Sequence, residues 1–106
     1  NLLILGLSFK ENCPDIRNSK VIDLISKLSE FNLNITVYDP LVDFTNIKFE
    51  KNVNYIVNFP NAKYDAIILA VPHNEFLEIN FENLKNNNSI LYDVKGVLSE
   101  GYDARL

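Results

Sequence analysis

Methionine is absent from all 106 positions of the sequence. Because translation starts with methionine, we expect the chain to be a processed or truncated piece of a longer protein. It opens directly on an apolar strand pattern, Leu2-Leu3-Ile4-Leu5, with no signal peptide before it. The length suits one domain, which we place at residues 1–106.

Cysteine, long apolar runs and positive charge are also scarce. The single cysteine, Cys13, cannot form an internal disulfide, so we expect a reducing, cytoplasmic compartment. No apolar run approaches the roughly 18–20 residues that cross a bilayer, so we expect no membrane partner. A net charge of −4 and a pI near 4.8 argue against nucleic-acid binding, which needs a basic face.

Glycine is too rare for a dinucleotide fingerprint. The turn after the first apolar run has one glycine, Gly6, where G-x-G-x-x-G needs three. Asp39 ends a strand as a ribose-binding acid would, but it follows Gly6 at well beyond the usual spacing of about 20 residues. We interpret Asp39 as a turn-capping residue before Pro40, and we do not expect this domain alone to bind NAD in the standard manner.

The apolar pattern predicts alternating strands and helices. Strands are expected at 2–7, 34–38, 64–71 and 89–94. A helix of about 13 residues should begin at a cap on Asn18 or Ser19 and stop at Asn32, with an apolar stripe of Val21, Leu24, Ile25, Leu28 and Phe31. Such alternation predicts an α/β three-layer sandwich with a Rossmann-like parallel sheet.

Other segments are harder to interpret. Residues 41–59 suggest a loop with a short strand near Val53, then a weak helix up to Asn61. Residues 75–85 indicate one broken or two short helical segments, and 86–88 a turn. The tail from 100 to 106 has no periodicity.

Several candidate site residues follow strand ends, where ligands of such sheets bind. They are Phe9, Lys10 and Arg17 after the first strand, Asp39 after the second, His73 after the third, and Asp93 and Lys95 after the last. Lys10 and Arg17 flank a helix start, whose free N–H groups favour an anion, so a phosphate-bearing ligand is the natural partner. The alternative is ordinary pairing of these cations with Glu11, Asp15 or solvent.

Catalytic and metal roles have little support. Cys13 has no general base near it in the sequence, so we interpret it as a plain loop cysteine and name no catalytic residue. His73 is interpreted as a structural hydrogen-bonding residue, and without a second histidine no metal site is expected.

Four ordered segments resemble one known family. Residues 6–19, Gly6-Leu7-Ser8-Phe9-Lys10-Glu11-Asn12-Cys13-Pro14-Asp15-Ile16-Arg17-Asn18-Ser19, closely resemble the signature that opens the C-terminal domain of the UDP-glucose/GDP-mannose dehydrogenase family. The later segments are Val37-Tyr38-Asp39-Pro40, Tyr64-Asp65-Ala66-Ile67-Ile68-Leu69-Ala70-Val71-Pro72-His73 and Tyr92-Asp93-Val94-Lys95-Gly96-Val97-Leu98. The resemblance covers nearly the whole chain.

This resemblance implies a function. Members oxidise the C6 hydroxymethyl of a nucleotide sugar to a carboxylate with NAD, which an N-terminal Rossmann domain holds. Their catalytic cysteine lies upstream of this segment, so Cys13 does not inherit that role. The resemblance implies that Phe9 and Lys10 contact the UDP-sugar, that Arg17 reaches the NAD of the other domain, and that Lys95 replaces a substrate-contacting arginine.

The loop of residues 11–15 is more similar to the UDP-N-acetylhexosamine branch than to the UDP-glucose branch. That branch supplies bacterial capsule and O-antigen polysaccharides, and the intact enzyme would be a homo-oligomer. The fragment alone is expected to be inactive. Two competing hypotheses are a non-enzymatic α/β interaction or regulatory module, with an acidic cluster at the strand ends, and a complete small enzyme using Cys13 and His73.

Overall fold

The computed structural model describes residues 1–47 and 50–105, without the side chain of Asn46. Six strands occur in the order β1 (Leu2–Leu5), β2 (Ile35–Tyr38), β3 (Val53–Ile56), β4 (Tyr64–Leu69), β5 (Lys85–Asp93) and β6 (Ala104–Arg105). The helices are α1 (Lys20–Leu28) and α2 (Asn74–Leu77), with 3-10 helices at Phe44–Asn46 and Phe81–Leu84.

The strands form one sheet in the order β3-β2-β1-β4-β5-β6, and all neighbouring strands are parallel. The order reverses between β1 and β4: the chain runs outward from β1 through β2 to β3, and then returns to form β4 on the other side of β1. Ligands of doubly wound sheets bind outside the carboxyl ends of the strands at such a reversal. The predicted Rossmann-like parallel sheet is therefore confirmed.

Both faces of the sheet are covered. All four residues of β1 are buried, and alternate side chains point to opposite faces. Leu2 and Ile4 pack with Val21 and Ile25 of α1, whereas Leu3 and Leu5 pack in a second cluster that includes Phe76 of α2. Two apolar clusters on either side of one sheet make the three layers that the sequence predicts.

Helix α1 begins as expected and ends early. Ser19 caps it by accepting a hydrogen bond from the Val21 N–H at 3.2 Å. The helix has nine residues, not about 13, because the backbone hydrogen bonds after Leu28 span three residues instead of four, as from the Phe31 N–H to the Leu28 carbonyl. Phe31 is 62% exposed, so its place in the apolar stripe was wrong.

The segment after β2 departs from the prediction. The short strand near Val53 is confirmed as β3, but no helix follows it among residues 57–61. Pro60 disfavours helical backbone at the residue before it, Phe59, which explains this difference. The 3-10 helix at Phe44–Asn46, capped by Asp43, was not predicted.

The second half of the chain contains a confirmed prediction and two corrections. Residues 75–85 do hold two short helical segments. The turn expected at 86–88 is instead an irregularity inside β5: Tyr64 pairs with Lys85, but Ala66 pairs with Ile90, so extra residues of β5 loop out, with Asn88 at a φ of +63°. The tail supplies β6, which is too short to show periodicity.

Candidate functional site

A cleft of about 440 Å³ lies at the carboxyl edge of the sheet, at the ends of β1, β4 and β5. Three of the predicted site residues line it together: Phe9, Lys10 and Lys95. The other lining residues come from the start of α1 and the strand ends, namely Ser8, Asn18, Lys20, Val21, Leu24, Ala70, Val71 and Val94. Residues far apart in the chain therefore meet beside the first turn of a helix.

Gly6 lets the chain pass from β1 into this cleft. Its φ is +97°, and a Cβ atom there would lie 2.6 Å from the Cβ of Val71. Only glycine fits both constraints without strain. The turn therefore brings β1 against the end of β4 and directs Ser8, Phe9 and Lys10 to the rim.

Hydrogen bonds shape the two loops that carry the lysines. The hydroxyl of Ser8 donates to the carbonyl of Lys10 at 3.0 Å, and the Phe9 N–H donates to the Asp15 carbonyl at 2.6 Å. On the other side of the cleft, the buried carboxylate of Asp93 accepts from the N–H groups of Gly96 and Leu98 at 3.0 and 2.8 Å. Asp93 thereby folds the turn on which Lys95 lies.

The cleft is cationic. Its lysines are Lys10, Lys20 and Lys95, and within residues 1–47 and 50–105 no carboxylate lies within 4.0 Å of any of their ammonium groups. The N-terminus of α1 adds the positive end of a helix dipole. Sequence reasoning missed Lys20, although its position directly after the cap Ser19 placed it at the same helix start. The combination suits a phosphate-bearing ligand.

Arg17 does not line this cleft. Its side chain is 86% exposed and forms an ion pair with Asp15, with Nη2 at 2.8 Å from Oδ2. Hydrogen bonds from the Arg17 side chain and N–H lower the pKa of Asp15 from 3.8 to about 2. The alternative of ordinary pairing thus describes Arg17, whereas Lys10 and Lys95 remain available to a ligand.

Asp39 joins three strand ends. It is buried, and its Oδ2 accepts from the N–H groups of Leu7 and Ser8 and contacts Nε2 of His73 at 2.8 Å. Its Oδ1 accepts from the Leu41 N–H at 2.9 Å, as the predicted turn cap would. Burial raises the pKa of Asp39, but the bonds from His73, Leu7 and Leu41 together hold the pKa below its ordinary value.

These contacts disfavour the two competing hypotheses. Both ring nitrogens of His73 are engaged and the ring is fully buried, so it is not available as a base for Cys13. Asp39 and Asp93 do lie at strand ends, but both are buried and bonded to backbone N–H groups, unlike the exposed acids of a receiver-like site. In the part of the chain that the structure describes, no cluster of His, Cys, Asp and Glu could hold a metal, and no helix could cross a membrane.

The turn after β1 does not suit a dinucleotide in the usual place. The single glycine of the turn is packed against Val71, and the acid at the end of β2, Asp39, is turned inward to backbone N–H groups and His73 instead of toward a ribose. A pyrophosphate normally approaches a glycine-rich turn with that acid exposed beside it. The chain's own residues therefore do not form a standard NAD site.

The fold and the cleft define a Rossmann-like α/β domain with a lysine-lined cleft at its sheet reversal. Residues 3–100 match the UDP-binding domain of the UDP-glucose/GDP-mannose dehydrogenase family. The chain belongs to that family.

Individual relatives agree with this assignment. The chain is 40% identical over 102 residues to a UDP-N-acetyl-D-glucosamine 6-dehydrogenase of Pseudomonas aeruginosa, with 93% of this chain and 24% of the relative covered. It is 38% identical over 110 residues to the Salmonella typhi enzyme of the same name, with 100% and 26% covered. The chain thus spans about a quarter of the length of these relatives.

Solved structures share the fold. A UDP-D-ManNAc dehydrogenase from Pyrococcus horikoshii matches with a TM-score of 0.72 and 27% identity, over 98% of this chain and 24% of that one. The UDP-N-acetyl-mannosamine dehydrogenase Cap5O from S. aureus matches with the same TM-score of 0.72 at 19% identity, over 96% and 23% of the two chains. The second likeness is a likeness of fold alone.

Proposed function

We propose that this domain binds the nucleotide diphosphate of a UDP-sugar within an NAD-dependent UDP-sugar 6-dehydrogenase, which oxidises the C6 alcohol to a carboxylate. One observation carries the proposal: Phe9, Lys10 and Lys95, predicted as substrate-binding residues, line one cleft. Family membership supplies the class of ligand.

The chemistry of the cleft suits a diphosphate. Lys10 and Lys95 approach from loops on β1 and β5, and Lys20 adds a charge at the start of α1. Lysine is a compact charge with three donors, so several phosphate oxygens can be shared among these side chains. The ring of Phe9, 51% exposed, offers an apolar face beside the charges on which a base or a ribose can pack.

The oxidative chemistry belongs, in this proposal, to an N-terminal domain of the same chain that holds NAD and the catalytic cysteine. This domain binds and orients the substrate, so that C6 faces the cofactor, and would be inactive alone. In this structure the exposed guanidinium of Arg17 pairs with Asp15, so the contact with NAD that the family resemblance implies would replace that ion pair and stays a prediction. The intact enzyme would be a cytoplasmic homo-oligomer.

The sugar is assigned by likeness. The relatives at 40% and 38% identity are named UDP-N-acetyl-D-glucosamine 6-dehydrogenases, and a 39% identical relative of Staphylococcus aureus is named Protein CapL. We therefore favour a UDP-N-acetylhexosamine over UDP-glucose as substrate. The product would serve capsule or O-antigen synthesis.

Titration with UDP tests the proposal directly. Lys10→Ala and Lys95→Ala should each weaken UDP binding by roughly tenfold or more, since a hydrogen bond to a charged group contributes about 1.5–3 kcal/mol. Lys63→Ala is the matched control: it removes the same charge from an exposed site just before β4, at the opposite edge of the sheet. Its affinity should equal that of the unmodified protein.

Salt provides a second criterion. Binding by exposed lysines should weaken as ionic strength rises, because the charges are screened over about 10 Å at 0.1 M salt. Undetectable UDP binding at millimolar concentration, or equal losses in Lys10→Ala and Lys63→Ala, would contradict the proposal.

A further inference from the structure

His73 lies beneath the cleft with every polar atom of its ring engaged. It is fully buried. Its Nε2 lies 2.8 Å from Oδ2 of Asp39 and 3.2 Å from the hydroxyl of Ser8, while its Nδ1 accepts a hydrogen bond from the Asn12 N–H at 2.8 Å. None of these contacts has a part in the proposed chemistry.

The partners determine where the ring proton lies. A backbone N–H can only donate, so Nδ1 carries no proton and the ring is neutral. The proton is on Nε2, which donates it to the carboxylate of Asp39 at 2.8 Å and shares it with the Ser8 hydroxyl oxygen, a second acceptor at 3.2 Å. The hydroxyl of Ser8 is thereby left to donate to the carbonyl of Lys10 at 3.0 Å. Hydrogen bonds thus connect His73 both to Asn12 and to the backbone of a cleft lysine.

We propose that His73 is a positioning residue for the UDP-sugar site, holding the loop Ser8–Asn12 against the end of β4 so that Phe9 and Lys10 face the ligand. This inference rests on the proposed function. The Asn12 end of the loop depends on the ring, through Nδ1, whereas the Ser8 end is also held by Asp39, which accepts from the Ser8 N–H at 3.1 Å. The two proposed ligand contacts, Phe9 and Lys10, lie between those ends. Without the ring, the loop would be free to move the lysine away from a phosphate.

A second contact fixes the same end of the loop. The side chain of Asn12 accepts from the Asn74 N–H at 2.9 Å and donates to the Asn74 side chain at 3.3 Å. Asn12 has a φ of +60°, a conformation that asparagine tolerates better than most residues. The loop end is therefore held to the β4–α2 connection by a part-buried bond to the ring and by exposed bonds to Asn74.

Two substitutions separate the two nitrogens of the ring. In His73→Asn the side-chain oxygen can replace Nδ1 and still accept from Asn12, but the bond to Asp39 is lost. In His73→Gln the side-chain amide can replace Nε2 and still donate to Asp39, but Asn12 loses its acceptor. Positioning of the loop depends on the Asn12 contact, whereas a purely structural role would depend on both contacts.

The experiment uses the full-length protein that contains this domain. It measures the UDP dissociation constant, hydrogen exchange of residues 8–13 and the thermal midpoint. Both variants should lower the midpoint. Only His73→Gln should accelerate exchange in residues 8–13 and weaken UDP binding, by about tenfold, because it removes the acceptor of the part-buried Asn12 N–H. His73→Asn should stay within about threefold of the unmodified protein.

The outcomes are distinct. Equal loss of UDP affinity in both variants, or no loss in either, overturns the positioning role while unmodified protein still binds UDP. Failure of the unmodified protein to bind UDP refutes the proposed function instead, and exchange of residues 8–13 alone then decides whether His73 holds the loop. Should the variants fail to fold, hydrogen exchange of the Asn12 backbone amide in the unmodified protein is the test. Protection of this amide supports the positioning role of His73, and exchange at the rate of a solvent-exposed amide overturns it.

Discussion

Replacement of Gly6 by alanine should destabilise the domain, and the structure separates the two causes. The first is the backbone: at a φ of +97° an alanine is strained, by about 1–2 kcal/mol. The second is space: the new Cβ would lie 2.6 Å from the Cβ of Val71 and 2.8 Å from its N and O atoms. Overpacking of this kind costs typically about 1–3 kcal/mol.

Gly101→Ala is the matched control. Gly101 has a φ of +82°, but no atom lies within 4 Å of the position that its Cβ would take. Both substitutions share the backbone strain. In both, alanine also restricts the unfolded chain, which stabilises the folded state by about 0.4–1 kcal/mol and offsets part of that strain. The free energy of unfolding should therefore fall by about 1 kcal/mol in Gly101→Ala and by roughly 2–4 kcal/mol in Gly6→Ala.

Urea unfolding followed by circular dichroism measures this difference. With a slope of about 2 kcal/mol per molar urea, the middle of the usual range for a small domain, a loss of roughly 2–4 kcal/mol moves the midpoint by roughly 1–2 M. Equal midpoints for Gly6→Ala and Gly101→Ala would refute the steric argument, because only the contact with Val71 distinguishes the two positions.

Two further predictions concern carboxylates. Asp39→Asn should lower the free energy of unfolding by about 2–4 kcal/mol in a urea titration at pH 7, because an amide cannot accept all four of the bonds that Asp39 accepts. Because the pKa of Asp39 is lower in the folded protein than in the unfolded chain, the carboxylate stabilises the fold fully above its ordinary pKa, and this stabilisation is lost as the pH falls through the folded-state pKa. The destabilisation by Asp39→Asn should therefore shrink in strong acid. A constant difference in unfolding free energy down to about pH 2 would contradict this. The carboxyl of Asp15 should titrate near pH 2 in an NMR experiment and return toward 3.8 in Arg17→Ala; an unchanged midpoint in the variant would show that the ion pair is not formed.

The sequence predicts the centre of the fold better than its margins. Strand β1 is fully buried, and β4 is buried or half-buried except at Asp65, so both contain the short apolar runs that are typical of strands covered on both faces. The two-residue strand β6 pairs only with β5 and leaves no such pattern. The asparagines after Lys85 indicate a turn by composition, but the pairing with β4 absorbs them as a bulge, which local propensity does not report.

The sequence predicts those parts of the candidate site whose position follows from strand order and strand direction alone. Lys10 and Lys95 follow strands that end at one edge of a parallel sheet, so their meeting follows from strand direction. The orientation of Arg17 depends on a local ion pair with Asp15, which strand direction does not determine. The contacts of His73 with Ser8 and Asn12 join residues more than 60 positions apart and depend on ring orientation, so the sequence indicated only a structural histidine.

The cleft is cationic although the protein is acidic, because the carboxylates near it accept hydrogen bonds from backbone N–H groups. Asp39 and Asp93 lie at the same edge as the lysines, yet their oxygens face backbone N–H groups of the loops that they shape. Each carboxylate thus neutralises partial charges of the backbone instead of an ammonium group. The lysines remain without carboxylate neighbours within 4.0 Å in residues 1–47 and 50–105. In the proposed function, the diphosphate of the substrate is their counterion.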